Sequence, residues 1–388
     1  MSKRLILLGA SGSIGSQTID IIRKNPNDFS LVAVSVGNKV DVLDKLLFEF
    51  KSIKRAYIIN PFFVKPLLEK YPDVTFYFGE EGLSHLVSDS DADMVVNALV
   101  GFAGLPPTIK AIEKGYDIAL ANKETLVVGG ELINKMLKTS KSKIYPIDSE
   151  HAALRKCLDK VDINDVDKLI LTASGGAFRD FPIVDLKYLK ASEALKHPTW
   201  VMGNKITIDC ATMMNKGFEI IEAHYLFNFP IEKIDILMHR ESMIHSLVKL
   251  KDGSYVADIG KPDMHVPIEY ALYECKKDYE VYHKDNYLDF DKDFHFFEFD
   301  KNRYPMVELA KYALDKKGLV PCILNASNEI AVNAYLKDKI GYLDIYKIVD
   351  YMIKNPPIEN DNPTLQDYIN CDSLTRILTK ELIEKGGY

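Results

Sequence analysis

Two stretches of this chain hold residue types at a spacing that could do chemistry. The first is Gly9-Ala10-Ser11-Gly12-Ser13-Ile14-Gly15, which directly follows the apolar run RLILL and opens a helical pattern. Glycines there allow a tight turn and close backbone approach to a pyrophosphate. The helix start adds N–H groups and a positive dipole end. The spacing is GxxGxxG, so the strand–turn–helix context carries the argument, against a plain glycine-rich turn with no ligand. NAD-binding chains usually place an acid about 20 residues on, to hold the ribose 2′-OH. Here the second strand ends Ser35-Val36-Gly37-Asn38-Lys39, with no acid before Asp41. A hydroxyl, an amide and a lysine suit the extra 2′-phosphate, which favours NADP(H).

The second stretch is Ile147-Asp148-Ser149-Glu150-His151. Read as extended chain, Asp148 and Glu150 at i and i+2 point to one side. Two converging carboxylates need a cation, and oxygen-only ligation suits Mg²⁺ or Mn²⁺. The competing reading is a helix cap plus a solvated acid before AALRKCL. Further on, TASGGAF (172–178) has the small and glycine residues that cradle a phosphate with backbone N–H groups. In ITIDCATMMNKGFEIIEA (206–223), Asn215 and Lys216 fall near a helix start, and Glu219 and Glu222 share one helical face. Trp200, the only tryptophan, lies in HPTWVMGN and reads either as core or as part of a lid that excludes water.

The elements that must position these residues differ along the chain. Over 1–149, near-continuous apolar runs (4–9, 31–37, 55–60, 74–79, 94–100, 118–122, 143–147) alternate with helical patterns. That is the signature of an α/β domain with a parallel sheet covered on both faces, a Rossmann-like arrangement. From 150 to 275, strand-like runs follow one another, including 206–217, with one clear helix over about 216–227. This reads as an α+β domain on a mostly antiparallel sheet. Residues 276–302 lack a period and read as a linker, and 303–388 read as a helical bundle of roughly four segments.

A net charge of −7 gives no help to nucleic-acid or anionic-membrane binding, and both partners are disfavoured. Five scattered cysteines without a CxxC pair argue against a disulfide framework and a zinc site. The apolar run at the start is short and passes straight into the glycine turn, unlike a secretory signal. The longest apolar run elsewhere, around 94–105, is too short to span a bilayer. The expected location is the cytoplasm.

Taken together, GASGSIG, ALVGFAGL, ALANKETL, PIDSEH, TASGGAFRD, HPTWVMGNKITIDCATMMNKGFEIIEA, IHSLV, GKPDM and LNASNE resemble the 1-deoxy-D-xylulose 5-phosphate reductoisomerases, in order and at close to the family's separations. The resemblance covers essentially the whole chain. It implies NADPH- and metal-dependent conversion of 1-deoxy-D-xylulose 5-phosphate to 2-C-methyl-D-erythritol 4-phosphate, in non-mevalonate isoprenoid synthesis, by a homodimer. It also implies site residues. Asp148, Glu150 and Glu219 would hold Mn²⁺ or Mg²⁺, with Glu150 and Lys123 in catalytic roles and Ser149 at the substrate oxygens. Ser174, Cys210, Asn215 and Lys216 would form the phosphate pocket. His197 would close over the substrate, and Trp200 and Met202 would belong to a lid over about 195–204. NADPH would meet Gly9, Ser11, Gly12, Ser13 and Ile14 at the glycine turn, Gly37, Asn38 and Lys39 near the adenosine, and Asn122, Glu124, Gly203 and Met264 elsewhere.

Two departures from the family's pattern stand out: Cys210 replaces the usual serine of DSATMMNK, and Asn38-Lys39 reverses the usual order of basic and amide residues. Rival enzyme classes fit less well. The Tyr-x-x-x-Lys pairs Tyr312/Lys316 and Tyr335/Lys339, of the kind a short-chain dehydrogenase would need, fall in the C-terminal helical region, far beyond the expected place. No acyl-transfer apparatus accompanies Cys210 as a semialdehyde dehydrogenase would need. A non-enzymatic NADP-binding sensor would be expected to lack the metal and phosphate residues that are present here.

Overall fold

The computed structural model describes residues 2–195, 203–276 and 293–388. Numbered in chain order, its strands are Lys3–Leu8 (β1), Phe29–Val36 (β2), Arg55–Ile58 (β3), Thr75–Tyr77 (β4), Met94–Asn97 (β5), Asp117–Leu120 (β6), Ile144–Pro146 (β7), Val166–Ala173 (β8), Ile234–Met238 (β9), Ile244–Leu250 (β10), Tyr255–Ile259 (β11) and Phe297–Glu298 (β12). The first seven helices are Ser13–Lys24 (α1), Val40–Glu49 (α2), Val64–Lys70 (α3), Gly82–Asp89 (α4), Leu105–Lys114 (α5), Lys123–Leu137 (α6) and Ser149–Leu158 (α7). Then come Ala191–Ala194 (α8), Asn204–Thr212 (α9), Met214–Phe227 (α10), His265–Leu272 (α11), Met306–Lys316 (α12), Val320–Leu336 (α13), Tyr342–Lys354 (α14) and Leu365–Lys385 (α15). The chain divides into two compact units, and among the described residues the first takes 2–125, 133–152 and 263–276.

In the first unit every pairing is parallel, in the order β4-β3-β2-β1-β5-β6-β7. Leu5, Ile6, Leu7 and Leu8 are wholly buried, as a strand covered on both faces requires. The order reverses between β1 and β5, and open α/β sheets bind ligands at the carboxyl ends of strands flanking such a reversal. The glycine turn leaves β1 at that point.

One helix belongs elsewhere than its place in the chain suggests. The 263–276 stretch, assigned from sequence to the central domain, packs in the first unit. Ile268, Tyr270, Ala271 and Leu272 of α11 join the core of Leu5, Leu7 and Leu31, and Lys3 Nζ donates to the Leu272 carbonyl at 2.7 Å. An apolar helix face does not encode which sheet it covers.

The second unit carries a mixed sheet, β11-β10-β8-β9-β12, parallel only between β8 and β9. Met213, Ile220 and Ala223 bury against Leu169, Leu171, Ile234 and Val248 of this sheet, together with Tyr304 and Val307. The C-terminal region forms four helices, α12 to α15, within this same unit. Two expectations need correction. Residues 204–212, part of a run read as a strand, are helix α9. Its β-branched Ile and Thr favour strands locally, yet Thr207, Ile208, Ala211 and Thr212 bury at helical spacing, and packing overrides propensity. Within the expected linker, Phe297 and Glu298 form β12 on the edge beside β9.

Candidate active site

At the carboxyl end of β1 in the first unit, Gly9 takes φ +86°, which a side chain would make costly. Ser35, almost fully buried at the end of β2, holds the turn there. Its Oγ accepts from Gly9 N at 2.8 Å and its carbonyl from Ala10 N at 2.8 Å. Gly12 is the N-cap of α1, with no side chain covering the N–H groups behind it. Gly12 and Ser13 are exposed, Ser11 and Ile14 half-buried. Lys39 Nζ donates to the Ser11 carbonyl at 3.2 Å, and Asn38 and Lys39 are exposed beside half-buried Gly37. The Ser11–Ile14 turn and Lys39 thus present donors and positive charge on one edge of this unit. Ser35 was not singled out from sequence as a turn-holder, because a buried serine at a strand end carries no mark of its partner.

The carboxylates lie farther along the same unit. Asp148 follows β7, and its carbonyl accepts from Ala152 N at 2.9 Å, which puts it at the N-cap of α7. Glu150 is therefore in the first helical turn. The extended i, i+2 geometry expected from sequence does not occur, because Ser149 and Glu150 continue into the helix. Lys123, the first residue of α6, pairs with Asp148 Oδ2 at 2.6 Å, and fully buried His151 brings Nδ1 to 3.6 Å of the same oxygen. Burial alone would raise the Asp148 carboxyl, but the Lys123 ammonium and the His151 ring more than offset it and hold it well below the usual carboxylate range. Ser149 Oγ donates to the Glu150 carboxylate. His151, one helical turn after Asp148, was missed, though its i, i+3 spacing was a readable signal.

Asn122 holds the start of α6 from within a buried network. Its Oδ1 accepts from Thr125 N at 2.9 Å and caps α6, while its Nδ2 donates to the carbonyls of Leu99 and Gly101 at 3.0 Å each. Asn97 Nδ2 extends this buried network to the Gly104 carbonyl at 3.0 Å and Thr108 Oγ1 at 2.9 Å. The side chain of Asn122 is committed to fixing the 99–104 loop and the start of α6, where Lys123 and buried Glu124 stand.

In the second unit, β8 runs into the Ser174-Gly175-Gly176 turn, with φ +92° and +70° at the two glycines. A Cβ on Gly176 would come within 2.5 Å of the Cys210 carbonyl oxygen, so the turn packs directly on the last turn of α9. Met213, at φ +63°, separates α9 from α10 and starts the second helix at Met214. Asn215 and Lys216 occupy the first turn of α10, and both donate to the carboxylate of buried Glu219. Glu222, on the same face, is also fully buried. Half-buried Ser174 and Cys210 complete this group. A helix N-terminus, a lysine, an amide and a glycine turn are what a phosphate monoester requires.

Gly203 caps the start of α9, and Met264 caps α11 in the first unit. His197, Trp200 and Met202, and with them most of the expected 195–204 lid, lie outside the described residues.

A family profile described as 1-deoxy-D-xylulose 5-phosphate reductoisomerase matches residues 5–130, one described as the C-terminal domain of that enzyme matches 144–227, and one described as the DXP reductoisomerase C-terminal domain matches 259–378. The chain is similar to a 1-deoxy-D-xylulose 5-phosphate reductoisomerase of Geobacillus sp. (strain WCH70), 44% identical over 98% of this chain and 100% of the relative. One from Listeria monocytogenes serovar 1/2a is 42% identical over the same shares. Among solved structures, a DOX-P reductoisomerase in complex with NADPH, fosmidomycin and magnesium superposes with a TM-score of 0.91 at 36% identity, over 98% of each chain. The Zymomonas mobilis enzyme in complex with NADPH gives 0.89 at 37% identity, over 99% of this chain and 100% of that one.

Proposed function

Because the chain belongs to the 1-deoxy-D-xylulose 5-phosphate reductoisomerase family, we propose that it converts 1-deoxy-D-xylulose 5-phosphate to 2-C-methyl-D-erythritol 4-phosphate, with NADPH and a divalent metal ion. The observation that carries the site reading is half-buried Asp148, held ionised by Lys123 at the start of α7 with Glu150 in its first turn. Asp148, Glu150 and Glu219 would hold the metal ion. This oxygen-only carboxylate set suits Mg²⁺ or Mn²⁺ and would be a poor one for a soft ion.

When bound, the metal supplies Lewis-acid polarisation for the skeletal rearrangement and NADPH supplies the hydride. The chain's own residues do the rest. Lys123 keeps Asp148 anionic and presents its Nζ to the substrate oxygens, with Ser149 and Glu150 beside it. Ser174, Asn215 and Lys216 bind the phosphate and so orient the substrate by a group remote from the reacting carbons. Cys210 stands at the pocket wall as a weaker donor than a serine. The turn from Gly9 to Ile14, with Gly37 to Lys39, binds the phosphates and adenosine of the cofactor. Asn122, which also sets the start of α6, lines the cofactor's further reach with Glu124, Gly203 and Met264. By the family resemblance, His197 and Trp200 would cover the bound substrate and exclude water.

Charge and composition support neither nucleic acid nor membrane as a partner, and among the described residues no helix is long and apolar enough to cross a membrane. Family likeness supports a homodimer working in the cytoplasm, and light scattering on the purified chain tests the dimer. The activity test follows NADPH absorbance with 1-deoxy-D-xylulose 5-phosphate and Mn²⁺ or Mg²⁺, then with EDTA. Oxidation that stops with chelator is the expected result. A folded protein that binds NADPH and metal without turnover would refute the substrate assignment.

A further inference from the structure

We infer that the C-terminal helices set the geometry of the substrate-phosphate pocket through Asn328 and Tyr342, two positioning residues more than a hundred positions downstream of the pocket they hold. The inference rests on the reading of Ser174, Asn215 and Lys216 as the phosphate-binding residues.

Asn328, on α13 and wholly buried, donates Nδ2–H to Asp209 Oδ1 at 2.8 Å. Asp209, on α9 and 2% exposed, takes Lys205 Nζ on its other oxygen at 2.8 Å. A buried carboxylate is costly unless donors reach it, so Asn328 and Lys205 together fix where Asp209 stands. Two residues on, the hydroxyl of Tyr342, the first residue of α14, donates to the Ala211 carbonyl at 2.7 Å. These contacts bracket Cys210, whose carbonyl is the surface on which Gly176 packs. The facing turn is held from the same part of the chain. The Tyr304 hydroxyl donates to the Gly175 carbonyl at 2.9 Å, and Arg303 donates to the carbonyls of Phe178 and Phe181.

Both walls of the pocket are thus tied to side chains from residues 303–342. Asn215 and Lys216 follow Ala211 by four and five residues, across the left-handed Met213. A shift of the Asp209–Ala211 segment therefore carries the phosphate donors with it. Neither Asn328 nor Tyr342 needs to touch substrate to control how tightly it binds.

The test uses the full chain and the Michaelis constants for both substrates. Asn328→Leu keeps the branched shape, adds some volume and removes the donor. It should raise the KM for 1-deoxy-D-xylulose 5-phosphate about tenfold, the size expected for losing one hydrogen bond to a charged group, while the NADPH KM stays near wild type. Tyr342→Phe, which deletes a single hydroxyl, should raise the same KM by a smaller factor and covers the case in which Asn328→Leu does not fold. Asn328→Gln, close to leucine in size but keeping an amide donor for Asp209, should hold the KM nearer wild type than Asn328→Leu, a rescue that a merely destabilised fold would not give. Lys216→Gln reports on the underlying reading. If it raises the substrate KM and folded Asn328→Leu and Tyr342→Phe do not, the positioning role is overturned and the phosphate reading stands. If Lys216→Gln leaves that KM unchanged, the phosphate reading fails and this inference with it.

Discussion

Replacing Gly176 by alanine should damage substrate binding more than its small size suggests. The residue has φ +70°, and the left-handed region costs an L-residue roughly 1–2 kcal/mol. The added Cβ would also stand 2.5 Å from the Cys210 carbonyl oxygen and 2.6 Å from the Ala211 Cα, both backbone atoms that cannot rotate away. Overpacking of this kind costs typically about 1–3 kcal/mol, so the two effects together come to roughly 2–5 kcal/mol. Gly253 provides the control, because at φ +89° it shares the backbone strain but has nothing within 4 Å of its Cβ position. Gly253→Ala should therefore lose only the ~1–2 kcal/mol of strain. At about 2–4 °C per kcal/mol for a domain of 150–250 residues, Gly176→Ala should melt roughly 4–20 °C below wild type and Gly253→Ala roughly 2–8 °C below. The clash has a second consequence. It can be relieved only by moving the Ser174 turn away from Cys210, which spoils the phosphate pocket and raises the KM for 1-deoxy-D-xylulose 5-phosphate. The NADPH KM should hold, since the glycine turn that binds it belongs to the other unit. Scanning calorimetry and initial rates on both variants check this. Equal melting temperatures for the two, with substrate KM unchanged in Gly176→Ala, would refute the close-packing argument.

Three further perturbations separate the parts of the site. Cys210→Ser restores the stronger hydroxyl donor and should lower the KM for substrate at unchanged kcat, by about the 0.5–1.5 kcal/mol of one typical hydrogen bond; steady-state kinetics reads it, and an unchanged or raised KM sinks it. Ser35→Ala strips the side-chain acceptor from Gly9 N and should weaken NADPH binding by about tenfold, since a buried unpaired donor costs about 1–3 kcal/mol, leaving the substrate KM alone; fluorescence titration with NADPH measures it. Asn122→Ala loses the α6 cap and leaves the Leu99 and Gly101 carbonyls without its donor, so denaturant unfolding should show a loss of roughly 2–4 kcal/mol, with lowered kcat through the displaced Lys123.

What the sequence made legible follows a physical division. The parallel sheet was readable because β1, β5 and β6 are continuous apolar runs separated by helical periods, a pattern that depends only on neighbours in the chain. The Gly9 turn and the helix read over about 216–227 were readable for the same reason, and so were the candidate donors Asn215 and Lys216 and the carboxylate Glu219. The misreadings occur where long-range packing decides. Ile206-Thr207-Ile208 has the β-branched composition of a strand, but Asp209 inside it must reach Asn328, 119 residues away, and only a helix delivers Asp209, Ala211 and Cys210 to their separate partners. Asp148 and Glu150 look like an alternating pair until the Asp148 carbonyl accepts from Ala152 and commits the chain to a helix, which changes the direction of Glu150.

The same distinction separates residues that touch substrate from residues that place them. A residue that binds a phosphate or a metal must have a charge or a donor, so its type advertises it. Asn122, Asn328, Ser35 and Tyr342 act on the site through backbone carbonyls, backbone N–H groups and one buried carboxylate. Those partners exist at every position of every chain or are hidden among many acids, so nothing local in the sequence discloses the positioning contacts these residues make. Their effect should nonetheless rival that of the direct ligands. Each removes or leaves unsatisfied a buried polar group, at about 1–3 kcal/mol, which is the scale on which one phosphate contact is gained or lost. Variants that alter substrate affinity in this enzyme should therefore occur among buried amides and tyrosines of the C-terminal helices as well as in the glycine turns and the first turn of α10.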